Sequence, residues 1–261
     1  MRSHHSNEQC AVPIQDEPLL FSASDDRSVR AWDVLTHNCV KTLTPPNRKC
    51  GTMRSLVCTE EHLFIGSSNG VLYVYCINGL SRLTHHKHRR RIMEQANARA
   101  GKKGAAAVEP DEDETRFEFT LETQIEHGEE PLNSLAVGGP GGYKDFLFSA
   151  SQDGSVWVWS IPEDDLNFQV MQKIQPHTLT ICSIVVTPSY LLSASDDGSL
   201  RVYALQHGLG DSDEVLFFER SLKVGARIKC LSFTPDENGH GYMLLGLNIG
   251  DCITAPIGIT I

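Results

Sequence analysis

Two kinds of apolar patterning recur along the 261 residues. Segments such as "VLYVYCI" (71–77) and "VWVWSI" (156–161) are apolar at consecutive positions. That is the pattern of strands covered on both faces. "FEFTLETQI" (117–125) alternates instead. Its Phe117, Phe119, Leu121 and Ile125 fall on one side, and Glu118, Thr120, Glu122 and Gln124 on the other. This predicts a half-exposed outer strand. Short polar clusters such as "QDG" (152–154) and "PEDD" (162–165) punctuate the strands as turns. No amphipathic helix separates the strand blocks, which disfavours a parallel α/β fold.

One pattern repeats. "FSASDDRSVRAWDV" (21–34), "FSASQDGSVWVWSI" (148–161) and "LSASDDGSLRVYAL" (192–205) are near copies. "FIGSSNGVLYVYCI" (64–77) is weaker, and "LLGLNIGDCITAPI" (244–257) is the faintest. Their aligned positions Trp32, Tyr75, Trp159, Tyr203 and Ala255 are separated by 43, 84, 44 and 52 residues. A period of about 40–45 residues is that of four-stranded propeller blades, and the long gap is one period plus an insertion of about 40. The third unit shows the plan in "LNSLAVGG" (132–139), "FLFSAS" (146–151), "SVWVWSI" (155–161) and "FQVMQKI" (168–174). The predicted fold is an all-β propeller of four-stranded antiparallel blades. Five are visible, at approximately 4–44, 51–125, 128–174, 177–222 and 226–261. Residues 80–116 form a charged, disordered insertion in the second. The sequence stops within or just after a third strand, so an incomplete or open ring is expected.

These units resemble the WD-repeat β-propeller family. Its blades carry a loop histidine, a serine in the second strand, an aspartate in the following turn and a tryptophan in the third strand. The first unit has His5 (or His4), Ser22, Asp26 and Trp32; the third has His127, Ser149, Asp153 and Trp159; the fourth has His177, Ser193, Asp197 and Tyr203. The resemblance implies a structural network in each blade. The aspartate orients the histidine, which reaches the serine, which meets the indole N–H. The second unit departs, with Asn69 for the aspartate, Tyr75 for the tryptophan and no matching histidine. The fifth has Ile249 and Ala255 in those places. Histidine, serine and aspartate together also suggest a hydrolase triad. Three copies at a repeating spacing argue for architecture instead.

Composition narrows the function. The formal net charge is −10, yet residues 84–116 hold eight Lys/Arg against six Asp/Glu. The remaining body is therefore acidic and poorly suited to binding phosphate broadly. The basic stretch "HHKHRRRIMEQANARAGKKG" (85–104) supplies Lys87, Arg89, Arg90, Arg91, Lys102 and Lys103 as a candidate arm for nuclear import or RNA contact. "EPDEDE" (109–114) follows at once and also fits a self-neutralising loop. The eight cysteines form no C-x-x-C pair, so no zinc site is predicted, and buried reduced thiols are expected. "GGPGG" (138–142) lacks the lysine of a phosphate loop.

The first ten residues have no apolar h-region, and no run is long enough for a membrane-spanning helix. An intracellular protein of the cytoplasm or nucleus is expected. The resemblance implies a non-catalytic scaffold for proteins or peptides in a multi-subunit complex, with no cofactor, metal or catalytic residue. Asp25, Gln152 and Asp196, each first in its turn, are the candidate partner-binding rim. The alternative is a nucleic-acid-associated module working through residues 85–104.

Overall fold

A computed structural model describes residues 8–13, 19–46, 50–78, 118–142, 145–162, 167–206, 215–235 and 240–260. They form five antiparallel sheets in a propeller arrangement. The first sheet contains β1 (Glu8–Pro13), β2 (Leu19–Ser24), β3 (Val29–Asp33) and β4 (Cys39–Leu43). The second contains β5 (Met53–Cys58), β6 (His62–Ser67), β7 (Val71–Asn78) and β8 (Glu118–Glu126). The third contains β9 (Leu132–Gly138), β10 (Phe146–Ser151), β11 (Val156–Ser160) and β12 (Val170–Ile174). The fourth contains β13 (Ile181–Val186), β14 (Tyr190–Ser195), β15 (Ser199–Leu205) and β16 (Leu216–Lys223). The fifth has three strands, β17 (Ile228–Pro235), β18 (His240–Leu247) and β19 (Cys252–Thr260). Every sheet runs in simple sequence order, as a meander of hairpins requires.

The two middle strands of each sheet explain the unbroken apolar runs. Alternate residues point to opposite faces, and each face meets a different neighbour. Phe21, Ala23, Val29 and Ala31 of the first sheet pack on Leu63, Ile65, Tyr73 and Tyr75 of the second. Phe64, Leu72 and Val74 continue onto Leu147, Trp157 and Trp159 of the third. Phe148, Ala150, Val156 and Val158 then meet Leu191 and Tyr203 of the fourth. Leu192, Ala194, Leu200 and Val202 meet Met243 and Leu245 of the fifth. Four apolar layers thus alternate with five sheets. At about 25 cal/mol per Å² of buried apolar surface, these layers are the main stabilising contribution. Among the described residues no comparable packing joins the fifth sheet to the first, so the array is open there.

Two β-bulges recur. In each first strand one residue is skipped in the pairing register: Gln9, Arg54, Asn133, Cys182 and Lys229. In each outer strand a residue is skipped beside the aromatic position: Val40, Glu122, Met171 and Glu219. The bulge in β8 corrects the simple alternation expected there. Phe119 and Leu121 pack toward the first sheet, whereas Ile125 packs toward the third. The extra residue at Glu122 inverts the facing of everything beyond it. Glu122 itself is half-buried, 3.3 Å from His62 Nε2, rather than on a solvent face. The charged insertion expected at 80–116 lies outside the described residues.

Candidate functional site

The repeated turn is built by its aspartate. Asp26 Oδ1 accepts from the Ser28 backbone N–H at 2.9 Å and from the Ser28 hydroxyl at 2.6 Å. Asp153 Oδ1 accepts from the Ser155 N–H at 2.8 Å. Asp197 Oδ1 accepts from the Ser199 N–H at 2.9 Å and from its hydroxyl at 2.5 Å. Asn69 takes the same place in the second sheet, accepting from the Ser67 hydroxyl at 2.6 Å. An acceptor at this position closes the turn on its own backbone.

The longer network is divided between sheets. In the fourth sheet His177 Nδ1 lies 3.0 Å from Asp197 Oδ2, and its Nε2 lies 2.8 Å from Ser193 Oγ. Tyr203 replaces the tryptophan there and has no indole N–H to pass on. In the third sheet Trp159 Nε1 donates to Ser149 Oγ at 2.9 Å. His127 instead lies across the Trp157 ring, with centroids 4.3 Å apart, and its Nε2 is buried without a hydrogen-bond partner. In the first sheet Trp32 Nε1 donates to Ser22 Oγ at 2.8 Å. His5, and His4 with it, lies outside the described residues.

Charge follows burial. Burial lowers the His127 pKa to about 4, against the pull of Asp153. Burial also lowers that of His177, although the Asp197 hydrogen bond opposes it. Both imidazoles are therefore held toward the neutral form. Burial pushes the Asp197 carboxyl upward, but hydrogen bonds from Ser199 and His177 together hold it below its ordinary value. Asp153 follows the same balance, with Ser155 as the chief donor. Ionised aspartate beside neutral histidine forms a clasp between loop, turn and strand, and the Ser193 hydroxyl at its end is 0% exposed.

The first residues of the turns sit at one end of the sheets. Asp25 is half-buried and Gln152 exposed. Asp196 is already engaged. It receives Lys229 Nζ of the fifth sheet at 2.6 Å and 2.9 Å, and the Cys182 thiol at 3.4 Å. Burial, then Asp196, pushes the Cys182 thiol up to about 11, so it stays protonated. Lys229 and Cys182 are both bulged residues of first strands. Asn133, a third, donates to the Ile181 carbonyl at 3.2 Å. A bulge re-aims its side chain, and here it directs Asn133 to the next sheet, Lys229 to the turn of the preceding sheet and Cys182 to the turn of its own. Sequence patterning had no hold on them, because a bulge appears only when two strands are registered against each other. A shallow cleft of about 260 Å³ adjoins Asp196 and Asp197 and is also lined by Lys223 and Arg227.

The pattern has relatives. The WD domain, G-beta repeat family matches residues 2–33, 119–160 and 168–204. The matches end in the third strands of the first, third and fourth sheets, where the aspartate turns are intact, the second and third beginning at the outer strand of the sheet before, and the five sheets have the propeller arrangement. The chain is a WD-repeat β-propeller.

This WD-repeat chain is 24% identical over 189 residues to the pre-rRNA-processing protein crb3/ipi3 of Schizosaccharomyces pombe, covering 70% of this chain and 40% of that protein. It is 34% identical over 67 residues to the small ribosomal subunit protein RACK1 of the same yeast, covering 24% of this chain and 21% of that protein. It is 32% identical over 95 residues to pre-mRNA-processing factor 19 of Bos taurus, covering 36% of this chain and 17% of that protein. The WD-repeat chain thus spans less than half the length of each. Among its described residues no group of three or more His, Cys, Asp or Glu is placed to hold a metal ion. No helix among them is long and apolar enough to cross a membrane. The basic residues Lys87, Arg89, Arg90, Arg91, Lys102 and Lys103 lie outside the described residues.

Proposed function

We propose that this chain is a non-catalytic scaffold that holds protein or peptide partners on its turn-bearing rim, within an RNA-processing or ribosome-associated assembly of the nucleus or cytoplasm. One observation carries the reading. In four of the five sheets the polar turn is closed by its own aspartate or asparagine, and in the second, third and fourth it also accepts from the backbone that leads on to the next sheet. The Gly70 carbonyl accepts from His127 N–H at 2.9 Å, Gly154 from His177 N–H at 3.3 Å, and Gly198 from Val224 N–H at 2.8 Å. Rigid turns displayed in series make a recognition surface that costs little ordering entropy on binding. Asp25 and Gln152 remain accessible on that rim, and an acidic body favours partners with basic or donor groups. The names of the relatives above point to the assembly type.

Affinity capture of the tagged chain from nuclease-treated extract tests this. Wild type returns stoichiometric protein partners, and the double variant Asp25→Arg/Gln152→Arg loses them with an unchanged melting curve. Partners retained by that variant, or none captured by the wild type, would sink the rim assignment. The second reading is nucleic-acid contact through residues 85–104, favoured by seven Lys/Arg against one Glu. It requires binding of a labelled single-stranded RNA that weakens steeply with salt and vanishes on deletion of 85–104.

A further inference from the structure

The connector from β16 to β17, residues 224–227, departs from its sister between β12 and β13. In both, one residue donates its N–H to the glycine carbonyl of the preceding turn: His177 to Gly154 at 3.3 Å, and Val224 to Gly198 at 2.8 Å. Counting from that anchor, Thr178 corresponds to Gly225, Leu179 to Ala226 and Thr180 to Arg227. The junction of the third and fourth sheets is tied by polar side chains. The Thr178 N–H reaches Asp197 Oδ2 at 3.4 Å, and Gln175 Nε2 donates to the Asp153 carbonyl at 2.7 Å and to that of His177 at 3.1 Å. The next junction has neither device. Ile249 stands where the turn aspartate would be, and Leu222 where Gln175 would be, both exposed and neither able to accept or donate.

The result is the cleft of about 260 Å³ on the turn-bearing rim, between the turn at 196–198 and Lys223, Gly225, Ala226 and Arg227. Among the described residues no acceptor meets the N–H groups of Gly225, Ala226 or Arg227, and neither Lys223 nor Arg227 enters an ion pair. Gly225 has a φ of +82° and open space where a Cβ would stand. Successive backbone N–H groups beside a left-handed residue make a concavity that binds anions. The two carboxylates at its edge are already spent. Asp197 accepts from Ser199 on one oxygen and faces His177 with the other, and both Asp196 oxygens receive Lys229. Lys223, Arg227 and Lys229 thus outnumber Asp196 and Asp197, in a protein whose net charge is −10.

We propose that this cleft holds one phosphoryl group, carried on a serine or threonine side chain of a protein partner, which rests on the rim reading above. Backbone N–H groups, an ammonium and a guanidinium together offer more donors than the two oxygens of a carboxylate can use. They suit the three acceptor oxygens of a phosphate ester. Arg227 supplies a planar, two-pronged donor and Lys223 a compact charge. Asp196 and Asp197 at the edge, and the acidic body beyond, admit a single phosphoryl group and repel the next phosphate of a nucleic-acid strand. The occupant is therefore a phosphoprotein and not RNA.

Amide NMR of the purified chain, titrated with the peptide acetyl-Ala-Ala-phosphoserine-Ala-Ala-amide, is the test. The amide resonances of Gly225, Ala226 and Arg227 should shift and saturate in the millimolar range, and the unphosphorylated peptide should leave them in place. Lys223→Ala/Arg227→Ala should weaken binding about tenfold or more, because charge-assisted hydrogen bonds are lost. Lys41→Ala, an exposed cation on β4, should leave it unchanged. Melting curves confirm that the variants fold. No shift at the three amides by about 10 mM peptide, where a millimolar contact is near saturation, overturns the proposal. So does equal binding by the double variant. Shifts from inorganic phosphate without shifts from the peptide would leave a free-ion site only, and tighter binding of oligouridine at the same amides would give the cleft to RNA; either overturns it. The titration uses no captured partner. Its failure therefore leaves the Asp25/Gln152 rim assignment standing, and loss of that assignment leaves this result standing.

Discussion

At the scale of single residues, the clasp of the fourth sheet stabilises because its buried His177 has a partner on each ring nitrogen. Asp197 serves two groups at once, closing its turn on Ser199 and holding His177 Nδ1. Asp197→Ala leaves the buried His177 Nδ1 with only the Ser199 hydroxyl, 3.1 Å away, and should cost about 1–3 kcal/mol. At about 2–4 °C per kcal/mol for a chain of this size, the fall is measurable by thermal melting. His127 gives a pH signature. Its pKa is about 4 when folded, below the ordinary 6.5. As pH falls the unfolded chain takes up this proton first. The contribution is complete above pH 6.5 and is lost progressively down to about pH 4. Its full size is on the order of 3 kcal/mol. The melting temperature of His127→Gln should therefore fall less steeply across that window than that of wild type. An equal slope would show that His127 is not held neutral.

At the scale of elements, the unit of design is a hairpin whose turn touches the next sheet. Gly154 illustrates it. Its φ of +85° suits glycine, and a Cβ there would stand 2.4 Å from the His177 carbonyl oxygen and 2.9 Å from that of Leu179. Both contacts are to backbone and cannot rotate away. Gly154→Val should therefore destabilise the junction of the third and fourth sheets, by about 2 kcal/mol or more. Hydrogen exchange should locate the loss at β11 and β13 before the first sheet is affected. The bulges are elements too. Those in the outer strands break the alternation beside Trp32, Tyr75, Trp159 and Tyr203, and those in the first strands aim Cys182 and Lys229 at Asp196. The Lys229–Asp196 pair contributes little stability, since the lysine side chain is 48% exposed. It fixes where the Asp196 carboxylate points.

At the scale of the whole molecule, a stack of similar sheets distributes stability over nearest-neighbour junctions. The longest connection, between β7 and β8, leaves its two strands fully paired from Val71–Glu126 to Asn78–Glu118. Deleting residues 85–104 should thus leave the melting temperature within about 2 °C of wild type, because loop closure depends only weakly on loop length. A larger fall would show that the basic segment packs on the body. Nucleic-acid affinity after that deletion separates the two functional readings without disturbing the fold.

Much of this was written in the chain itself. The "SAS" strands, the polar turns and the aromatic positions repeat at a blade's spacing, because each sheet must solve the same local problem of two buried faces and one tight turn. That periodicity specified an all-β propeller of five units. Other features depended on the pairing of distant strands. The bulge at Glu122 turned Ile125 to the other face. His127 settled on Trp157 and did not reach for a hydrogen bond, while His177 took up both partners. Asp196 was claimed by a lysine 33 residues away. The cleft beside Lys223 and Arg227 became visible only once the neighbour of each turn was known. Local patterns record what a residue needs from its own strand; register and packing decide which neighbour supplies it.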